Sequence, residues 1–193
     1  PRIPELLVVI VGTWRIGAVY QPLFTAFGPK AIETRVSKIT GSNAKIILTD
    51  SINKSKLDDL PNCPLIIEID RSKDSEENFN KKLIKHKTDI KTVSLTRIDP
   101  FTTLFTSGTT GNPKGVVYPN EMLTAIAAYM IYGIGLHKTD SYWCMADPGW
   151  AYGLLYAVIG PLLLGATTTM YEGGFTTEST LSVIEKLNIN NLA

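Results

Sequence analysis

The sequence predicts an α/β fold: a mainly parallel sheet flanked by helices. The pattern of elements carries this. Short apolar runs of strand length alternate along the chain with segments whose apolar residues recur at helical spacing. Short apolar strands interleaved with helices in this way indicate a sheet covered on both faces. The 193 residues suffice for one domain with a substantial core, and 44% hydrophobic against 19% charged residues excludes wholesale disorder.

The elements follow in order. Leu6 to Val11 is apolar, but Arg15 ends the run well short of the ~18–20 residues of a membrane span. A buried helix fits better, with Pro4 in its first turn, Glu5 on the positive end of its dipole and Gly17 just past its end. Ala18-Val19-Tyr20 reads as a strand. Pro29 to Ile39 is helical, with Ala31, Ile32, Val36 and Ile39 on one face and Gly41 as its stop. Lys45–Thr49, Leu65–Ile69, Phe101–Thr106 and Gly115–Tyr118 read as strands. An apolar helix spans 120–135, Tyr142 to Ala146 is a strand, and Tyr152 to Leu164 is a helix with Pro161 near its end. A strand over Ala166–Tyr171 and an amphipathic helix over Glu178–Leu187 close the series.

Charge narrows the function classes. Nineteen Lys+Arg against 18 Asp+Glu leave a net charge of +1, which argues against a nucleic-acid or polybasic membrane surface. Charge concentrates only in 71–97: between Arg71 and Lys91, 11 of 21 residues are charged, and Asp74, Glu76 and Glu77 make the stretch mixed in sign. It reads as a solvated excursion with room for one helix around Phe79, Leu83 and Ile84. Cys63 and Cys144 are far apart and fit neither a disulfide scaffold nor a zinc site, so a cytoplasmic setting is expected. His86 and His137 lack the spacing of a metal or nucleophilic site, Cys144 reads as buried filler, and no metal site is assigned. The chain opens on Pro1, and is expected to be cut from a longer protein.

The chemistry lies in Thr106-Ser107-Gly108-Thr109-Thr110-Gly111-Asn112-Pro113-Lys114-Gly115. Glycines let backbone N–H groups approach an anion, hydroxyls of Ser107, Thr109 and Thr110 can donate to phosphate oxygens, and Lys114 supplies positive charge. A polar β-turn would also use Asn112-Pro113 and Gly115; the whole string favours a phosphate cradle. It is not the common P-loop, where a helix starts at the lysine and Ser or Thr follows it. Here Lys114 follows Pro113, and Val116-Val117-Tyr118 reads as a strand.

This string resembles the phosphate-binding signature of the acyl-adenylate-forming (AMP-binding) enzymes. Tyr142 to Trp150, Gly160 to Thr168, Arg15 to Val19 and the Phe24–Pro29 turn resemble the acetyl-CoA synthetase branch of that family. The resemblance runs along nearly the whole chain and is weakest across 71–97. It implies that residues 1–193 form an incomplete part of the large N-terminal domain of an adenylate-forming enzyme. It implies an ATP-dependent acyl-CoA synthetase: a carboxylic acid attacks the α-phosphorus of ATP, giving acyl-AMP and pyrophosphate, and coenzyme A displaces AMP. The substrates would be a small carboxylic acid, ATP and CoA, with no nucleic-acid partner. Mg2+ would be held by a residue outside this sequence.

By the same resemblance, Thr106, Ser107, Gly108, Thr109, Thr110, Gly111 and Lys114 hold the departing phosphates, with Lys114 as an electrostatic partner. Trp150, Ala151, Tyr152 and Gly153 belong to the carboxylate pocket, Trp150 and Tyr152 as its flat walls. Phe24, Thr25 and Ala26 lie near CoA. Thr25 and Ala26 stand where acetyl-CoA synthetases have glycines, Tyr152 where they have a small hydroxyl residue, and Pro148 also departs from their pattern. An acid other than acetate is therefore expected. No residue here is assigned as catalytic, and the chain alone is expected to be inactive. Its sequence holds nothing like the family's later adenine, ribose, hinge and lysine segments. An adenylation domain serving a carrier protein and an inactive nucleotide-binding homologue are the rival readings.

Overall fold

Pro4 and Glu5 begin the first helix as expected: α1 runs from Pro4 to Arg15, and Gly17, at φ +72°, turns the chain out of it. The computed structural model describes all residues except 62–63, 73–77, 107–110 and 112. Among the described residues, no helix is long and apolar enough to cross a membrane.

The expected strand at 18–20 reduces to one residue. Tyr20 bridges Thr102 in parallel: its N–H donates to the Phe101 carbonyl at 3.0 Å, and its carbonyl accepts from the Thr103 N–H at 2.9 Å. Pro22 has no N–H to extend the ladder, and the left-handed turn at Gly17 lies just behind.

Helix α2 (Pro29–Val36) leads through a turn into β1 (Ile46–Thr49), which pairs in parallel with β2 (Leu65–Glu68). Between them the short α3 (Ser51–Lys54) starts where the Asp50 carboxylate accepts from the Asn53 N–H at 2.8 Å. In the charged stretch, Asn78 caps α4 (Phe79–Ile84) in the same way, and Phe79 is buried against Ile3 and Ile69. Most other described residues from 71 to 97 are exposed.

Strands β3 (Pro100–Thr106) and β4 (Lys114–Pro119) form an antiparallel hairpin with Phe105 opposite Gly115 and Thr106 opposite Lys114. Helix α5 (Met122–Ala128) follows. Strand β5 (Tyr142–Trp143) lies between β6 (Thr168–Thr169) and β7 (Asn191–Leu192), parallel to both. Thus three of the four described strand pairings are parallel. Strands β5 and β6 are shorter than the runs Tyr142–Ala146 and Ala166–Tyr171, and β7 adds an edge that no sequence signal marked. Helix α7 (Thr177–Leu187) begins at a Thr176/Ser179 capping box.

Two expected helices contain wide turns. The 120–135 segment passes from α5 into a π-helical stretch at Tyr129–Gly133. The 152–164 segment is π-helical over Gly153–Ile159 and becomes α6 (Gly160–Leu164) only at its end. Pro161 begins α6, where the sequence placed it near a helix end. Having no N–H, Pro161 cannot bond the Ala157 carbonyl four residues back. The Thr168 hydroxyl donates to that carbonyl instead, at 2.9 Å, and the Tyr142 hydroxyl donates to the Tyr156 carbonyl at 3.0 Å.

These π-helical segments enclose the main core. Ile10, Met130, Tyr142, Leu154 and Val158 are fully buried in one cluster with Phe101, Leu104 and Ile126. Each such side chain contributes about 1.5–3 kcal/mol by leaving water. A smaller cluster of Ile32, Val36, Ile47, Leu57 and Leu60 holds α2 to β1.

Candidate functional site

The β3–β4 hairpin presents the first group of residues. Thr106 and Lys114 close its mouth as an exposed pair, the Thr106 hydroxyl donating to the Lys114 carbonyl at 3.5 Å. Gly111 adopts φ +92°, with open space around it. Ser107, Gly108, Thr109 and Thr110, four of the predicted phosphate ligands, lie outside the described residues, as does Asn112. The described stem thus ends on an exposed threonine paired with an exposed lysine.

Below the mouth the stem is braced. A Cβ on Gly115 would stand 3.1 Å from the Phe105 ring, so the ring reaches across to the opposite strand. The Arg35 guanidinium lies 6.0 Å from the Phe105 centroid and 4.1 Å from the Phe27 centroid, within cation–π range of both. Arg35 is buried, its Nη1 donating to the Ala31 carbonyl at 2.8 Å, and burial holds its pKa below the usual arginine value. Its own carbonyl accepts from the Ser42 N–H, the Ser42 hydroxyl and Gln21 Nε2. Gly41 passes so close to the Arg35 carbonyl that a Cβ there would collide with it.

Phe27 carries the contact onward. Phe24 and Phe27 stand edge to face at 5.8 Å, and each packs on Trp150 at a centroid distance of 5.3 Å. The turn that bears them is fixed by Lys56, whose ammonium donates to the Thr25 carbonyl and to Asn53 Oδ1. Ala26 is exposed at the turn's edge. The structure therefore joins the Phe24–Ala26 turn to Trp150, two segments the sequence treated separately.

The chain around Trp150 has little freedom. Asp147 Oδ1 accepts from the Gly149 N–H at 2.7 Å, and the Asp147 carbonyl accepts from the Trp150 N–H at 3.0 Å. A Cβ on Gly149 would stand 2.5 Å from the Phe24 Cα, and one on Gly153 would collide with the Asp147 carbonyl. Asp147 Oδ2 also faces Arg2 Nε at 3.9 Å. Burial, helped by the Asp147 carboxylate, pushes the Tyr20 phenol up.

Tyr152 does not share Trp150's cluster. Its ring packs edge-on against Tyr156 at 4.7 Å, and Tyr156 lies 4.6 Å from Tyr129. Burial, first, and the nearby Tyr129 push the Tyr152 phenol up. Ala151 is exposed between the two clusters, and Gly153 is buried beneath them. Trp150 and Tyr152 thus form separate aromatic faces, one against Phe24 and Phe27, the other against Tyr129 and Tyr156.

Behind the hairpin, a cavity of about 840 Å³ opens between α1, α2, β1 and β3–β4; Leu6, Leu23, Ile47 and Val117 line it. Phe24 and Thr25 reach it, whereas Trp150 and Tyr152 do not. Among the described residues, no group of three His, Cys, Asp or Glu gathers as a metal site. Cys144 is buried, and burial pushes its thiol up.

Sequence reasoning missed Arg35, Tyr129 and Tyr156. Arg35 had a signal: with Ile32 and Val36 it occupies the i, i+3, i+4 face that α2 buries, an unusual place for an arginine. Tyr129 and Tyr156 sat within runs that read as core.

The model of the AMP-binding enzyme family matches residues 1–193. The chain belongs to that family. Among its relatives, the acetyl-coenzyme A synthetase of Bacillus subtilis (strain 168) is 32% identical over 195 residues, covering 98% of this chain and 34% of that protein. The acetyl-coenzyme A synthetase of Escherichia coli (strain K12) is 31% identical over 196 residues, covering 90% of this chain and 30% of that protein. A solved acyl-CoA synthetase from Brucella canis superposes with a TM-score of 0.90 and 47% identity, over 100% of this chain and 35% of that one. An anthranilate CoA ligase solved with anthranoyl-AMP superposes with a TM-score of 0.84 at 20% identity, a likeness of fold. The chain spans about a third of the length of these relatives.

Proposed function

We propose that the protein bearing this chain is an ATP-dependent acyl-CoA synthetase, which activates a carboxylic acid as acyl-AMP and passes the acyl group to coenzyme A. The observation that carries the reading is the ring contact of Phe24 and Phe27 with Trp150 at 5.3 Å. It brings the turn assigned to the CoA side against the wall assigned to the acid, as a site serving both half-reactions requires. The matched family and the acetyl-coenzyme A synthetase relatives support the same chemistry.

In this reading the 106–115 loop holds the β- and γ-phosphates while pyrophosphate departs. Thr106 and Lys114 flank it, their backbones paired across the hairpin. Nucleotidyl transfer asks mainly for positioned reactants and stabilised charge; the paired stem positions the loop ends, and the Lys114 ammonium supplies charge. Trp150 limits one side of the acid site and excludes water from it, and Tyr152 limits the other. The described residues show no carboxylate cluster for Mg2+, so no step here is assigned to it.

The test is acid-dependent ATP–pyrophosphate exchange by the full-length protein, followed by AMP release on adding coenzyme A. Exchange with a thioester product on free CoA supports the proposal. Exchange that yields product only on a phosphopantetheinyl carrier protein would assign it to carrier loading, and no exchange with any acid would make it a nucleotide-binding homologue without this chemistry.

A further inference from the structure

The guanidinium of Arg35 stands between the two halves of the candidate site. On one side is Phe105, next in sequence to Thr106 at the hairpin mouth; on the other is Phe27, which packs on Trp150. A cation in this place is costly. Arg35 is only 8% exposed, and no carboxylate pairs with it among the described residues. A leucine or methionine would fill the space between two phenyl rings without desolvating a charge.

What arginine alone provides is a flat, stiff plate that stacks on a ring and hydrogen-bonds at its edge. Here the edge is held by the Ala31 carbonyl, and the backbone beneath it by Ser42, Gln21 and the close approach of Gly41. The plate lies 4.1 Å from the Phe27 centroid and 6.0 Å from that of Phe105, and it cannot leave this place without breaking its anchorage. Resting on the functional reading above, we infer that Arg35 is a positioning residue. It sets the spacing between the phosphate hairpin and the Trp150 wall, and so the alignment of the acid with the α-phosphorus.

The experiment uses the full-length protein with Arg35→Lys, Arg35→Met, Trp150→Leu and the paired variants, read by ATP–pyrophosphate exchange. A misplacement on the order of an ångström costs up to about a hundred-fold in rate, so Arg35→Met is expected to lower kcat about ten-fold or more, with the KM for ATP within about three-fold. Arg35→Lys keeps the charge and loses the plate, and is expected to behave like Arg35→Met. Because Arg35 acts through Phe27 on Trp150, adding Arg35→Met to Trp150→Leu should cost less than about two-fold more.

An Arg35→Lys variant with wild-type kcat would overturn the inference, as would losses that multiply in full in the paired variants. If Arg35→Met fails to fold, the Arg35→Lys and Trp150→Leu pair decides by the same criterion. Wild-type protein without exchange would sink the functional reading and this inference together; exchange with multiplicative losses would sink this inference alone.

Discussion

At the hairpin, Thr106 and Lys114 are exposed and joined by one long hydrogen bond, and Gly111 has open space around it. Between Asp147 and Gly153 the reverse holds: two glycines have backbone where a Cβ would go, and the Asp147 side chain and carbonyl hold the turn. On the proposed function, the first region acts through donors and needs room to admit a ligand. The other works through the fixed faces of aromatic rings and has no slack. Substitutions should therefore damage function at the first and folding at the second.

The largest effect tests both regions together. On the proposed function, residues 1–193 alone carry the phosphate loop and the Trp150 and Tyr152 sides of the acid site, which leaves most of an ATP molecule unheld. Exchange activity should be absent, ATP binding by calorimetry weak, and the purified piece prone to associate through exposed apolar residues such as Ile131, Leu162 and Leu181. Micromolar ATP affinity from a monomer would contradict this.

Within the full-length protein, Gly153→Ala forces a methyl group into the Asp147 carbonyl and should cost about 3 kcal/mol or more in urea unfolding. Gly111→Ala meets only the strain of its positive φ, about 1–2 kcal/mol, so reversal of this order would break the comparison.

Lys114→Ala should leave the urea midpoint unchanged and slow pyrophosphate exchange about ten-fold or more, the loss of a charge-assisted contact of about 1.5–3 kcal/mol. Unchanged exchange would remove the hairpin from the mechanism. Tyr152→Thr should reorder a graded series of acids, at about 1–3 kcal/mol per methylene of pocket fit. Acetate as the best substrate of the unmodified protein would contradict the assignment of Tyr152. Smallest, Thr176→Ala removes the α7 cap far from both regions and should cost about 1 kcal/mol with exchange intact.

Most of the fold was legible because it rests on local signals. Pro4 and Gly17 bound α1, apolar runs mark β1 to β4, and the Gly/Ser/Thr string marks the hairpin tip. The illegible parts depend on what meets across space. A strand at 18–20 looks sound until Pro22 denies it a ladder, and a helical period does not tell an α turn from the wider turns at 129–133 and 153–159. Trp150 and Tyr152, two residues apart, pack in separate aromatic clusters. Their separation comes from Phe24 and Tyr129, more than twenty residues upstream of either, which no spacing rule links to them.

Helix α1 belongs to a core made almost wholly of later residues. Trp14 donates its indole N–H to the Phe101 carbonyl at 3.0 Å, and Ile10 is buried with Leu154 and Val158. During synthesis at about 5–20 residues per second, α1 waits several seconds for β3 and roughly 7–30 seconds for the segment around Val158. For that interval Ile10 lacks the later residues it is buried with, Leu154 and Val158 among them. Slowed translation between residues 15 and 100 should lengthen the wait, and chaperone capture of nascent chains should peak before residue 160 has left the ribosome.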